Sequence, residues 1–117
     1  MDIDKILSER QDQYGDFFNR SKISQDFKNL IRQGESYRLL KADQREALEM
    51  IATKMGRIVN GDPDYLDSWV DIQGYCQLVI DRVLKDKFEI DNALEIYLVD
   101  GVPKETAAIL EKQESED

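Results

Sequence analysis

Four carboxylates stand at helical spacing in two neighbouring stretches: Glu46 and Glu49 in QREALEMIATKMGRIVNG, and Asp67 and Asp71 in LDSWVDIQGY. Residues three or four apart share one face of a helix, so each pair can point at one ion. Two antiparallel helices joined by a short loop would bring the pairs face to face. A divalent cation between them would polarise a phosphate and activate a water for attack. In that role Glu46, Glu49 and Asp71 are the candidate catalytic residues. Glu46, Glu49, Asp67 and Asp71 are the candidate metal ligands, for Mg²⁺ or Mn²⁺. The alternative is two solvated helix faces, with Asp67 complementing the dipole at a helix start.

Lys54 and Arg57 lie on the same polar arc as the glutamates. A guanidinium can clamp a phosphate bidentately, so both are candidate substrate-binding residues. Surface charge balancing explains them equally. Tyr75 sits at the margin of its helix and can reach a pocket. Tyr14-Gly15-Asp16-Phe17 reads either as a base-stacking lid or as a helix–helix turn whose aromatics plug the core. Trp69 and Cys76 fall on a core stripe, which makes Trp69 packing and Cys76 a buried small hydrophobe. The chain has no histidine. That removes Ser-His and Cys-His nucleophiles, imidazole zinc sites and histidine proton transfer. Any metal site must then be ligated by oxygen.

These residues need elements to hold them, and the pattern is helical throughout. A first helix is expected over roughly 3–12, broken at Gly15, and a second over roughly 19–33, ended by Gly34. Residues 36–41 form a connector. Asp43 or a neighbour caps a third helix that tolerates Gly56 and stops at Gly61. Projected at 100° per residue, its Ala47, Leu48, Ile51, Ala52, Ile58 and Val59 share one arc, while Glu46, Glu49, Lys54 and Arg57 lie opposite. A fourth helix runs from Leu66 or Asp67 to about Lys87, with Trp69, Ile72, Cys76, Val79, Ile80 and Val83 as its stripe. Gly74 and Leu78 among the carboxylates of its other face suggest that something packs there. A fifth helix is expected over Asp91–Leu98, and a last one from Pro103. The expected fold is all-α, a compact bundle of four to six helices in a single domain over 1–110. An acidic, frayed tail follows over 111–117.

Composition bounds the function. The chain of 117 residues is 41% hydrophobic and 35% charged, which suits amphipathic helices with charged outer faces. Its net charge of −9 repels phosphate backbones and argues against direct nucleic-acid binding. A single cysteine allows no internal disulfide and points to a reducing cytoplasm. No apolar run approaches the roughly 18–20 residues that span a bilayer, and MDIDKILSER is no signal peptide.

The Glu46-x-x-Glu49 pair followed by SWVDIQGY resembles the all-α NTP pyrophosphohydrolase (MazG-like) superfamily. That superfamily carries a Glu-x-x-Glu pair on one helix and a Glu-x-x-Asp pair on a later one, with Mg²⁺ between them. Glu46 and Glu49 match the first pair and Asp71 the later Asp. Ser68 stands at the position of the family Glu, and Asp67 is one residue off. The resemblance implies a MazG-like helical core, hydrolysis of a (d)NTP to monophosphate and pyrophosphate, and a dimer or tetramer. The 44–75 block, with Arg10 and the Tyr14-Gly15-Asp16-Phe17 start, also looks like a group of small bacteriophage and prophage proteins. That resemblance implies phage origin and the cytoplasm of a bacterial host. Two non-enzymatic readings stand beside the hydrolase. One is an acidic protein that binds and inhibits a host defence or nucleic-acid-binding protein; the other is a nucleotide-binding sponge.

Overall fold

The computed structural model describes residues 2–100. They form four α-helices, α1 (Ile3–Tyr14), α2 (Phe17–Ile31), α3 (Ala42–Asn60) and α4 (Leu66–Asp100), with one 3₁₀ turn, Tyr37–Leu39, between α2 and α3. There is no strand among the described residues. The all-α expectation holds. The helix expected from Pro103 and the tail over 111–117 lie outside the described residues.

The starts of α1, α2 and α3 each have a local cause. The Asp2 carboxylate accepts from the Lys5 N–H at 3.2 Å and the Asp16 carboxylate from the Asn19 N–H at 3.1 Å. Both satisfy amides that a first turn leaves without partners. The Gln44 side-chain oxygen accepts from the Lys41 N–H at 2.9 Å at the start of α3, so the N-cap is Lys41 and Asp43 lies in the first turn. The fourth and fifth expected helices are one helix. Nothing between Lys87 and Asp91 breaks it, since the Phe88-Glu89-Ile90 link contains no Gly or Pro.

The chain divides into two compact units, one up to Val79 and one from Ile80 onward. In the first, α2 packs on α3, and α1 lies against both. The α2–α3 crossing is close because small residues line it. Ala47, Ala52 and Ser24 are buried, and a Cβ on Gly56 would sit 2.9 Å from the Arg20 carbonyl oxygen. A second close approach joins the two turns. Gly15 has φ +81°, a conformation that favours glycine, and its Cβ position falls on the backbone of Asn60. The Asn60 side-chain amide donates to the Asp16 carbonyl at 3.2 Å, and the Asp62 N–H donates to the Gln13 carbonyl at 3.0 Å. Tyr14-Gly15-Asp16-Phe17 is therefore a turn locked to the end of α3. Its phenylalanines do not plug the core, for Phe17 and Phe18 are exposed.

Three core expectations fail on α4, one of them Ile80 at 47% exposure. Trp69 is 52% exposed and Cys76 is exposed. The buried position in this turn of α4 is Ser68, at 3% exposure, so the inward face is rotated by about one residue from the expected stripe. The Trp69 indole N–H donates to the Pro63 carbonyl at 2.8 Å, which holds the ring beside the loop rather than in the core. In the second unit, Leu94 is buried.

Candidate functional site

The four carboxylates do not meet. In an antiparallel hairpin centred on Pro63, Asp71 lies eight residues past the centre and faces the residue about eight before it. That residue is near Lys54, and Glu49 and Glu46 lie roughly 8–12 Å further along α3 at 1.5 Å per residue. The structure follows this arithmetic. The Lys54 ammonium pairs with the Asp71 carboxylate at 2.9 Å, and the Lys54 side chain is only 11% exposed. Glu49 pairs instead with Arg32 at 3.2 Å, across α3 to the end of α2. Asp67 accepts from the Tyr65 hydroxyl at 3.0 Å. Glu46 is exposed. Among the described residues, no group of three Asp, Glu or Cys side chains is placed to hold a metal ion.

The same geometry gives Lys54 a carboxylate partner, Asp71. Tyr75 is half-buried and lines a shallow groove on α4 with Val70, Asp71, Gly74 and Leu78. The hydrogen bond to Asp67 is the main cause that pushes the Tyr65 phenol up to about 12.

Arg57 is placed differently. Its guanidinium lies 4.4 Å from the centre of the Tyr14 ring. Arg20 stacks on the same ring at 5.5 Å and on Phe17 at 5.0 Å. Tyr65 meets Tyr14 edge-on, with ring centres 5.6 Å apart. Each guanidinium–ring contact contributes about 0.5–2 kcal/mol. Two like charges are nonetheless held together here. Burial, and then the Arg57 charge, lower the Arg20 guanidinium below its ordinary value, with Arg10 adding to the repulsion. Tyr14 and Asp16 act the other way, more weakly than burial. The Nε–H groups of Arg20 and Arg57 are buried with no hydrogen-bond partner. Neither side chain has a carboxylate in ion-pair contact among the described residues. They border a cleft of about 200 Å³ between α2 and α3 that Ser24, Lys28 and Thr53 also line. Arg20 and Lys28 were not singled out from the sequence. The signal available was the Arg20, Ser24, Lys28 column at i, i+4 and i+8 on α2, opposite Thr53 and Arg57 at i, i+4 on α3.

A family model, the domain of unknown function DUF6378, matches residues 3–83. The chain belongs to the DUF6378 family. The DUF6378 match takes in all of α1, α2 and α3 and the first half of α4, and so every candidate residue from Tyr14 to Tyr75. No curated protein and no solved structure matches this DUF6378 chain.

Proposed function

We propose that this DUF6378 chain is a nucleotide-handling helical protein of phage type, working in the cytoplasm of a bacterial host. It grips its ligand through phosphate rather than through a metal centre built by one chain. The observation that carries this reading is the stacked pair Arg57 and Arg20 beside Tyr14. Two adjacent cations with no carboxylate in ion-pair contact, in a chain of net charge −9, would be stabilised by a bound anion. The exposed Phe17 ring beside them offers a face on which a base can stack.

Hydrolysis of the MazG-like kind asks for Mg²⁺ on Glu46, Glu49, Asp67 and Asp71. In one chain Glu49, Asp67 and Asp71 have other partners, so that chemistry would draw on a second copy. A screen of deoxynucleoside triphosphates with Mg²⁺ or Mn²⁺ separates the cases, reading heat of binding and pyrophosphate release together. Binding without release, weakened at least about tenfold by Arg57→Ala, is the expected result, a tenfold loss being about 1.4 kcal/mol. Absence of binding for every nucleotide would sink the reading.

A second reading has its own observation. Leu66, Trp69, Val70 and Leu78 on α4 are each half or more exposed. Such a face favours docking, either of a second copy as homodimer or tetramer or of a host protein. An acidic protein that binds and inhibits a host factor fits it.

A further inference from the structure

The nucleotide reading rests on Arg57 and Arg20, and the groups around them specify what part of a ligand they would take. The faces of both guanidiniums are used, stacked on Tyr14 and Phe17. Their Nε–H groups are buried without an acceptor, so an oxyanion would be met by the terminal N–H groups of each edge. In-plane N–H groups are what a guanidinium offers to an oxyanion. The acids that might have taken this place are engaged elsewhere. Asp16 caps α2 by accepting from the Asn19 N–H at 3.1 Å, and Glu49 pairs with Arg32 at 3.2 Å. Lys28 lies one helical column along from Arg20 and adds a third positive charge to the cleft. Between the cations stand two hydroxyls, Ser24 donating to Thr53 at 3.5 Å and Thr53 donating to the Glu49 carbonyl at 3.2 Å. No carboxylate side chain lines the cleft.

We infer that the α2–α3 cleft is a metal-independent site for a di- or triphosphate chain, held by Arg20, Lys28 and Arg57. Three positive charges and no acid match an anion of several charges better than a single carboxylate or chloride. Because the cations neutralise the phosphates directly, a bridging Mg²⁺ is not required. The same chemistry is presented by inorganic pyrophosphate and by the phosphate tail of a nucleotide, and the experiment tells them apart.

The test is titration calorimetry of the full chain in excess EDTA, against inorganic pyrophosphate, dATP and deoxyadenosine. Pyrophosphate and dATP are expected to bind, deoxyadenosine far more weakly, and binding should weaken as salt is raised. Lys28→Ala and Arg20→Lys are each expected to weaken pyrophosphate at least tenfold. Lys22→Ala, an exposed lysine of α2 outside the cleft, should leave it unchanged. Circular-dichroism melts of each variant establish that it folds, and Lys28 carries the test if Arg20→Lys does not, since Lys28 stacks on no ring. Failure of pyrophosphate to bind in EDTA overturns the inference. So does binding that ignores Lys28→Ala and Arg20→Lys, and if dATP still binds tightly in that case the nucleotide reading survives without this cleft. Equal affinity for pyrophosphate and dATP, both lost in Lys28→Ala, supports the cleft while removing the nucleoside from the proposed function.

Discussion

Lys54 keeps its ammonium almost out of water, and Asp71 is the partner that makes this tolerable. The pair is lopsided, the lysine side chain being 11% exposed and the aspartate 46%. Removing either partner therefore has unequal consequences. Asp71→Ala leaves a buried charge without its carboxylate, which is expected to cost about 1–3 kcal/mol. Adding Lys54→Met removes the stranded charge and keeps the apolar stem, so the double variant should recover most of the loss. Urea denaturation of the two variants measures this, and equal loss in both would show that Lys54 does not depend on Asp71. The result also bears on chemistry, because a carboxylate whose loss is repaired by deleting a lysine is acting on that lysine, not on a metal. The identities of Lys54 and Asp71 were legible as charged residues on helical faces, but their partnership was not drawn from the pattern. Helical projection gives the angle of each residue about its own axis. It gives nothing of the height along the axis, and height decides which charges meet across a hairpin. Counting outward from Pro63 supplies it and puts Asp71 opposite Lys54 rather than Glu49.

At the scale of elements, glycines set how closely the helices and turns approach, and their signs under substitution should differ. Gly15→Ala puts a Cβ onto the Asn60 backbone at a φ of +81°. Strain at positive φ and displacement of packed backbone together should cost roughly 2–4 kcal/mol. Gly56→Ala meets the Arg20 carbonyl at 2.9 Å and the Ser24 Cβ at 3.3 Å, so α2 must move away from α3, at a cost of about 1–3 kcal/mol. Gly74→Ala meets nothing within 4 Å and replaces a helical glycine, so it should stabilise the chain by about 0.5–1 kcal/mol. Thermal melts of the three variants at one low concentration check the order, and a destabilising Gly74→Ala would mean that this face is covered in solution. Gly15 and Gly61 were read from the sequence as breaks, which they are. Their second role was not readable there. They let two turns some 45 residues apart in the chain touch, and only the tertiary approach of Gly15 to Asn60 and of Gly61 to Tyr14 reveals it. The run from Leu66 to Asp100 shows the reverse error. Two helices are expected there, one to about Lys87 and one from Asp91, yet the backbone has no Gly or Pro reason to stop, and α4 continues.

At the scale of the whole molecule, the helices are amphipathic as the composition requires, but much of the apolar share stays in water. Among the described residues no large side chain is buried to below 2% exposure. On the first unit's part of α4, Leu66, Trp69, Val70 and Leu78 are 68%, 52%, 51% and 68% exposed. Covering such side chains contributes on the order of 1 kcal/mol each when about half the area is at stake. Covering all four on each of two copies contributes on the order of 8 kcal/mol, within the roughly 4–15 kcal/mol that association costs. Additional contacts would have to tip the balance, so any self-association is expected to be modest and sensitive to concentration. A species that binds the folded state stabilises it by mass action, and here that species is another copy. The melting temperature should therefore rise by several degrees over about a hundredfold increase in protein concentration, with the mass from sedimentation rising in step. Leu78→Glu, at a position 68% exposed, should remove both effects while changing the dilute melt little, because most of that side chain is already in water in the single chain. The net charge of −9 opposes the encounter of two copies, so added salt should favour association through screening. In the cleft it should weaken pyrophosphate instead. A monomeric mass with a constant melting temperature across that range would assign the apolar face to a different protein, and with it the host-binding reading of this DUF6378 chain.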